Sequence, residues 1–246
     1  MKYALMSFLS SVARLVDEEN HCVLCGNPTG SGMPVCVRCI ENKLLTMARS
    51  CTFDRLCEHR CSRCGRQLIS TKGTCIQCRE PQSFVALDRA FPLFPYTPAF
   101  QELLTLWKIR GYRSLSLLFA QMLHHALENC LSRSFVLIPV PPRPGKIRSK
   151  GWDQIQELVS LVRPSSRYRV VHCLKRLSHL EQKHLSRTER GGNLEGQILC
   201  TYIPSSDCCA VLVDDVMTTG TTLEYCARSL KTAGYSEVYA LSLFYD

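Results

Sequence analysis

Val211-Leu212-Val213-Asp214-Asp215-Val216-Met217-Thr218-Thr219-Gly220-Thr221-Thr222 is the stretch on which the fold turns. Val211–Val213 is a short apolar run of the kind that forms a strand buried on both faces. It delivers two adjacent carboxylates, Asp214 and Asp215, at its carboxyl end. A loop of hydroxyls with one glycine follows, and then Leu223, Cys226, Ala227 and Leu230 recur at helical spacing. Strand, loop and helix in that order belong to an open α/β sheet, whose ligands bind beyond the carboxyl ends of the strands. Loop amides, threonine hydroxyls and a helix N-terminus can together hold a phosphate. Gly220 lets the backbone come close to it. Adjacent acids suit ribose hydroxyls, as acceptors that hold a sugar ring, better than an EF-hand or a paired glycosidase site. An acidic turn with a threonine cap is the plain alternative, and the conjunction on a buried strand argues against it.

Reading outward, the same alternation continues. Ser83 to Tyr96 mixes β-branched and aromatic residues with prolines, which predicts short strands. Thr97-Pro98 opens a helix in the cap-then-proline order, and Gly111 interrupts it. Leu115, Leu118, Phe119, Met122, Leu123 and Ala126 form the apolar face of a second helix. Phe135-Val136-Leu137-Ile138 reads as a buried strand that runs into the loop Pro139-Val140-Pro141-Pro142. Ile155, Leu158, Val159 and Val162 mark another helix, and Val238 to Phe244 a closing strand. The expected class is α/β, with a mostly parallel sheet covered on both faces.

Ahead of this lies a different kind of sequence. The chain has 246 residues, of which 46% are apolar and 21% charged. That suits one ordinary domain with a small appendage and excludes a disordered, collagenous or membrane-embedded chain. Of 16 cysteines, eight stand as C-x-x-C pairs: Cys22/Cys25, Cys36/Cys39, Cys61/Cys64 and Cys75/Cys78. The pairs repeat at an offset of 39, each copy reading C-x2-C-x10-C-x2-C. Such spacing suits tetrahedral zinc better than disulfides, and each copy looks like a zinc ribbon. Two structural zinc ions are expected. Sequential sites are favoured, Cys22, Cys25, Cys36 and Cys39 and then Cys61, Cys64, Cys75 and Cys78, with interleaved pairing left open. Gly26 and Gly65 provide a tight turn after each first pair, with amides able to point at sulfur. Cys51, Cys57 and His59, between the copies, read as linker or packing residues. Zinc thiolates imply a reducing compartment, hence the cytoplasm. They also lower the formal charge of +9 to about +5, because each Zn²⁺ with four thiolates carries −2.

Within residues 1–20, Leu5, Phe8, Leu9, Val12, Leu15 and Val16 recur at helical spacing. Serines, Arg14 and the lack of a clean cleavage site argue for an amphipathic helix rather than a signal peptide. No run reaches the ~20 apolar residues of a membrane span. The expected organisation is residues 1–20 as that helix, 21–80 as a double zinc ribbon and 81–246 as the α/β domain.

Four stretches together resemble one family. Val211 to Thr222 is similar to the phosphoribosyl pyrophosphate (PRPP) loop of type I phosphoribosyltransferases. Leu106-Trp107-Lys108-Ile109-Arg110-Gly111 resembles an L-K-F-R-G element. Pro139-Val140-Pro141 through Gly151-Trp152-Asp153-Gln154 resembles P-V-P…R-G-F-N-Q, and Gln182 through Leu185-Ser186-Arg187 to Asn193-Leu194-Glu195-Gly196 resembles Q-x-x-L-S-R-x-E-R-x-x-N-L-x-G. With the cysteine-rich front, the chain is identified as resembling the ComF family, competence-associated proteins like phosphoribosyltransferases. The resemblance implies a type I phosphoribosyltransferase fold behind a double zinc ribbon, and PRPP bound with Mg²⁺. It implies that Asp214 and Asp215 hold the ribose hydroxyls at the catalytic centre, and that Thr218, Thr219, Gly220, Thr221 and Thr222 hold the 5′-phosphate. Arg143, Lys146, Arg148 and Lys150 are the candidates to receive pyrophosphate. The implied role lies in DNA uptake and transformation. The chain acts there either as a phosphoribosyltransferase with an unnamed acceptor or as a non-catalytic module. In the second case it binds single-stranded DNA, the competence helicase or other DNA-uptake proteins. Two departures stand out: Asp153 where the family has Asn, and Pro142-Arg143 where it often has Leu and His.

Charge fits an anionic ligand. Residues 143–190 hold 12 Lys/Arg and 4 Asp/Glu, a net of +8 that holds most of the excess. Such a segment is a solvated basic face, an anion site or a track for single-stranded DNA. Tyr112, Trp152 and Tyr168 lie near it as stacking or packing residues. His124, His125, His172, His179 and His184 show no ligand or catalytic spacing.

Overall fold

The computed structural model describes residues 21–29, 33–53, 59–68, 73–80, 84–143, 151–177, 198–204 and 208–246. The N-terminal helix expected within 1–20, Cys57, Lys146, Arg148, Lys150 and the Gln182–Gly196 motif lie outside them.

Among the described residues the sheet has five strands in the order β1-β7-β6-β2-β3. These are β1 (Arg89–Pro95), β2 (Phe135–Pro139), β3 (Tyr168–Val170), β6 (Cys209–Met217) and β7 (Glu237–Tyr245). Every neighbouring pair is parallel. A separate antiparallel pair, β4 (Leu174–Arg176) and β5 (Ile198–Cys200), lies beside it. Neither this pair nor β3 was legible in the sequence, because three-residue strands carry too little periodicity to register.

Period-two alternation divides the sheet residues between two cores. Phe135, Leu137, Val211, Val213, Leu241 and Leu243 face one way. Val136, Ile138, Ala210, Leu212, Val238 and Ala240 face the other. The first face is covered by α2 (Pro98–Lys108), α3 (Ser114–Cys130) and α4 (Gln154–Leu161), and the second by α5 (Thr221–Thr232). Thr97 stands at the N-cap of α2 with Pro98 following it, as the sequence predicts, though the Thr97 hydroxyl makes no cap bond. Trp107 is the anchor of the first face: fully buried, it donates from Nε1 to Ser116 Oγ at 2.8 Å and packs edge-on against Phe119.

The cysteine-rich segment joins both cores. A helical run carries Val37–Cys39, the π-type turn Ile40–Leu44 and Leu45–Arg49, together called α1. It packs with Cys22, Cys36, Cys39 and Phe53 onto the first face. Phe53 stacks on Tyr239 of β7 at 4.8 Å. Cys61, Cys64 and Cys78 join the second face beside Phe84 and Leu223. The two copies of one sequence pattern therefore sit on opposite sides of the sheet. Cys51 is buried in the first core, so it is a packing residue.

The copies differ most at their glycines. Gly26 and Gly65 both have positive φ, 73° and 68°. A Cβ on Gly26 would meet nothing within 4 Å, whereas one on Gly65 would stand 2.5 Å from the Ala90 carbonyl oxygen and 2.9 Å from Pro92 Cδ. Gly26→Ala should therefore cost only the left-handed penalty, ~1–2 kcal/mol. Gly65→Ala adds an overlap with β1 worth a further ~1–3 kcal/mol. At ~2–4 °C per kcal/mol for a chain of this size, scanning calorimetry should show Gly65→Ala melting clearly below Gly26→Ala. Equal midpoints would mean that the second ribbon is not seated on β1.

Candidate functional site

The strand order explains where a site can form. From β2 the chain runs through α4 to β3, and from β6 through α5 to β7, so the two connections leave in opposite directions and cover opposite faces. Neighbouring strands whose connections diverge leave a crevice at their carboxyl ends. Here those strands are β2 and β6, with Pro139 level with Val213 and the Val140 amide bonded to the Val213 carbonyl at 2.9 Å. The loop starting at Val140 and the acidic and threonine stretch thus share one rim. β6 runs on to Met217, so the acids lie within the strand rather than after it.

Asp214 and Asp215 are both partly accessible. The Asp215 amide donates to Asp214 Oδ1 at 2.8 Å. Burial, and next the Asp215 charge, push the Asp214 carboxyl well above the usual carboxylate range. Asp215 has a cation of its own: Lys108 Nζ lies 2.5 Å from its Oδ2. Lys108 closes α2 inside the L-W-K-I-R-G stretch, which the family resemblance marks without giving it a role. Nothing in the spacing could link residues so far apart; only the packing of α2 beside β6 does.

Beyond Met217 the loop turns into α5. Gly220 stands at the N-cap with φ 79°, and the Glu224 amide donates to its carbonyl at 2.9 Å. The hydroxyls of Thr219 and Thr221 meet at 2.8 Å. Thr218 and Thr219 are exposed, and the amides opening α5 have no partner within the helix, which is the arrangement an anion needs. Arg143 is exposed on the β2 side of the rim. Its companions Lys146, Arg148 and Lys150 fall outside the described residues, so no basic cluster can be assembled there.

The eight paired thiols gather as two sequential groups. In each, all four sulfurs lie within 4.8 Å of one another. Tetrahedral zinc with Zn–S of about 2.3 Å sets its sulfurs about 3.8 Å apart. The Cys25–Cys36 and Cys64–Cys75 sulfur distances are 3.7 and 3.6 Å. Both groups therefore fit zinc, and the interleaved pairing is excluded. The glycine amides behave differently from expectation: those of Gly26 and Gly65 donate to the carbonyls of Cys22 and Cys61. The amide that reaches Cys61 sulfur, at 3.3 Å, belongs to Cys75.

Comparison with known proteins bears on these features. No family model matches the chain. Competence protein ComFC of Streptococcus pneumoniae is 25% identical over 227 residues, covering 90% of this chain and 98% of that one. Competence protein ComFC of Bacillus subtilis is 28% identical over 201 residues, covering 79% and 80%. Both relatives support the ComF family for this chain.

The fold class implied by the ComF motifs is also the one found, a parallel sheet flanked by helices behind two four-cysteine groups. Among solved structures, a hypoxanthine phosphoribosyltransferase from Staphylococcus aureus matches with a TM-score of 0.32 and 10% identity over 53% of this chain and 63% of that one. The Trypanosoma cruzi hypoxanthine phosphoribosyl transferase matches at 0.30 and 16% over 55% and 64%. Likenesses that loose decide nothing about function.

The ComF departure at Asp153 has a local cause. Its carboxylate caps α4, accepting from the Ile155 and Gln156 amides at 3.0 and 2.9 Å. Gln154 turns inward, buried with its amide unpartnered among the described residues. Trp152 packs edge-on against Trp107, and Tyr168 stacks on Phe135, so both are packing residues. Among the described residues no helix is long and apolar enough to cross a membrane.

The crowded acids make a prediction. With its pKa raised in the folded state, Asp214 keeps its proton where the unfolded chain has lost it. Stability therefore falls as pH rises from the ordinary carboxylate value through the raised one. Asp214→Asn keeps the acceptor oxygen and removes the ionisation. It should raise the melting midpoint of the ligand-free protein by about 2–4 °C at pH 8 and change it little at pH 4. A fall at pH 8 would show that the acids are not in conflict.

Proposed function

We propose that the chain binds PRPP with Mg²⁺ at the carboxyl rim of β6 and β2, and serves natural competence, as its curated ComFC relatives are named to do. The observation that carries the reading is the union of Asp214, Asp215 and the threonine loop at the N-terminus of α5. The acids would accept from the ribose 2′- and 3′-hydroxyls, and Thr218 to Thr222 would hold the 5′-phosphate. Arg143 is the described residue on the β2 side suited to the pyrophosphate, with Lys146, Arg148 and Lys150 its expected companions in sequence. Mg²⁺ would supply neutralisation of the departing pyrophosphate, the charge that grows as the anomeric C–O bond breaks. Lys108 holds Asp215 in place through its ion pair, so the site meets the sugar with one oriented side chain beside Asp214, whose proton is held more tightly than usual. Such preorganised charge is usually the largest catalytic contribution. The reaction class is pentosyl transfer, with an acceptor the site does not name. The two four-cysteine groups would hold structural zinc, and zinc thiolates suit a reducing compartment such as the cytoplasm.

A second reading has its own observation. Along the outer edge of β3 runs a cavity of about 480 Å³ lined by Arg163, Arg169 and His172, with no acidic side chain in its lining. It continues into one of about 330 Å³ lined by Arg167 and Arg169, again without an acid. This basic track, rather than the PRPP rim, is where single-stranded DNA of the uptake machinery would lie. The two ligands would then bind without competing.

Elemental analysis of protein prepared without chelator should find about two zinc ions per chain. PRPP with Mg²⁺ should raise the melting midpoint, and Asp214→Asn with Asp215→Asn should abolish the shift while the zinc content stays at two. An undiminished shift in the double variant would show that the ribose does not sit on these acids.

A further inference from the structure

The threonine loop does not stand by itself. We infer that Arg66 and Phe84 make the second four-cysteine group the support of this loop, so that metal in Cys61, Cys64, Cys75 and Cys78 and an anion on Thr218–Thr222 strengthen one another. The inference rests on the loop being the phosphate site proposed above.

Three tethers carry it. Arg66 follows Cys64 by two residues, and its guanidinium forks: Nη2 donates to the Thr218 carbonyl, and Nη1 to Gln77 Oε1 at 2.9 Å. Gln77 lies between Cys75 and Cys78, so one side chain spans both halves of the metal group and the first residue of the loop. Phe84 is the second tether. Its ring fills the space beside Gly220, where a Cβ would stand 2.6 Å from Cζ. Phe84 itself has φ 49°, unusual for a bulky residue, and is held there by its carbonyl, which accepts from Arg63 Nη2. Arg63 lies between Cys61 and Cys64, and its Nη1 reaches the Cys78 carbonyl at 3.3 Å. The third tether is Glu224 in the first turn of α5. Its buried carboxylate accepts the amides of Ala86 and Leu87 at 2.9 and 3.0 Å and is paired with Arg228 at 2.9 Å. Loop, helix start and ribbon are thus one hydrogen-bonded unit.

The ribbon has little core of its own, so its geometry depends on its metal. Lose the metal, and the positions of Arg63, Arg66 and Gln77 loosen. The Thr218 carbonyl then loses its donor, and Phe84 loses the bond that keeps its strained backbone. The first four-cysteine group packs with α1 on the opposite face and shares none of these contacts. Coupling between two binding events is reciprocal, and couplings of this kind run from ~5- to ~150-fold. An anion on the loop must therefore slow metal loss from the second group, and only from it.

The test uses the full zinc-loaded chain and a colorimetric chelator. PRPP with Mg²⁺ is first shown to bind by calorimetry, and zinc release is then followed with and without it. One of the two ions should leave about fivefold or more slowly in the presence of PRPP, and the other at an unchanged rate. Cys25→Ser, which removes a ligand of the first group, should keep the protected ion. Arg66→Ala should still carry two zinc ions, bind PRPP several-fold more weakly and lose most of the protection. Arg66→Lys, which can still reach one carbonyl, should recover part of both. PRPP binding with no change in release of either ion, or protection that survives Arg66→Ala intact, overturns the inference and leaves the loop's assignment standing. No PRPP binding to the parent protein overturns the assignment and the inference with it.

Discussion

Two carboxylates side by side at the end of a buried strand cannot both ionise at the ordinary cost, and the surroundings of Asp214 and Asp215 are arranged about that constraint. Strand β6 is buried on both faces up to Val213, so its backbone has no freedom to swing the acids apart. The pair is divided instead. Asp215 receives Lys108, and Asp214 receives an amide hydrogen bond but bears the burial. Such a site is electrostatically unfinished. A cationic or hydroxyl-rich ligand supplies what the protein leaves out, and function is the common reason for a fold to tolerate such a defect. Lys108 closes a helix distant in sequence, so α2 is fixed at this pair as well as by Trp107 beneath it.

The same logic separates the two cysteine repeats. Their sequences are alike and their geometry about the thiols is alike, yet one packs under α1 and the other under the threonine loop. Gly26 borders open space, whereas Gly65 is pressed against β1. Arg60, beside the second group, donates to the carbonyls of both Gly65 and Pro92 and lies over the Phe91 ring at 4.6 Å. A repeat whose copies have different neighbours is free to assign them different work. The second is bound so closely to β1 and α5 that residues 59–68 and 73–80 pack as part of the α/β unit, although composition divides the chain at about residue 80.

Much of this could be read from residues in order. The strand at Val211, the turn at Gly220, the helix after it and the paired thiols all declare themselves locally, through apolar runs and fixed spacings. Local pattern also placed α2 behind Thr97-Pro98 and α3 on its six apolar positions. What escaped needs contacts between distant residues. Lys108 meets Asp215 across more than a hundred residues, and Arg66 reaches Thr218 across 152. Asp153 stood out in sequence only as a departure from the family's Asn, because sequence does not show that the side chain turns back to cap α4. The aromatic residues near the basic segment looked able to stack on bases, and Trp152 packs against the core edge-on to Trp107 while Tyr168 is buried on Phe135.

The charge of the chain is the last step. In sequence its basic excess is concentrated on residues 143–190, where a single anionic ligand near the threonine loop would account for it. The fold separates the described part of that excess. Arg143 stays on the rim with the acids, while Arg163, Arg167 and Arg169 are carried by the turn after α4 to the open edge of β3. Arg167 donates to the Leu131 carbonyl and so fixes its own loop, leaving Arg163 and Arg169 with His172 to set the field of the cavity. Field from groups on one side of a parallel sheet's edge decays within about 10 Å at ordinary salt. The described arginines thus stand in two places, Arg143 on the rim at the end of β2 and Arg163 with Arg169 beside β3, and an anion at one place need not block the other.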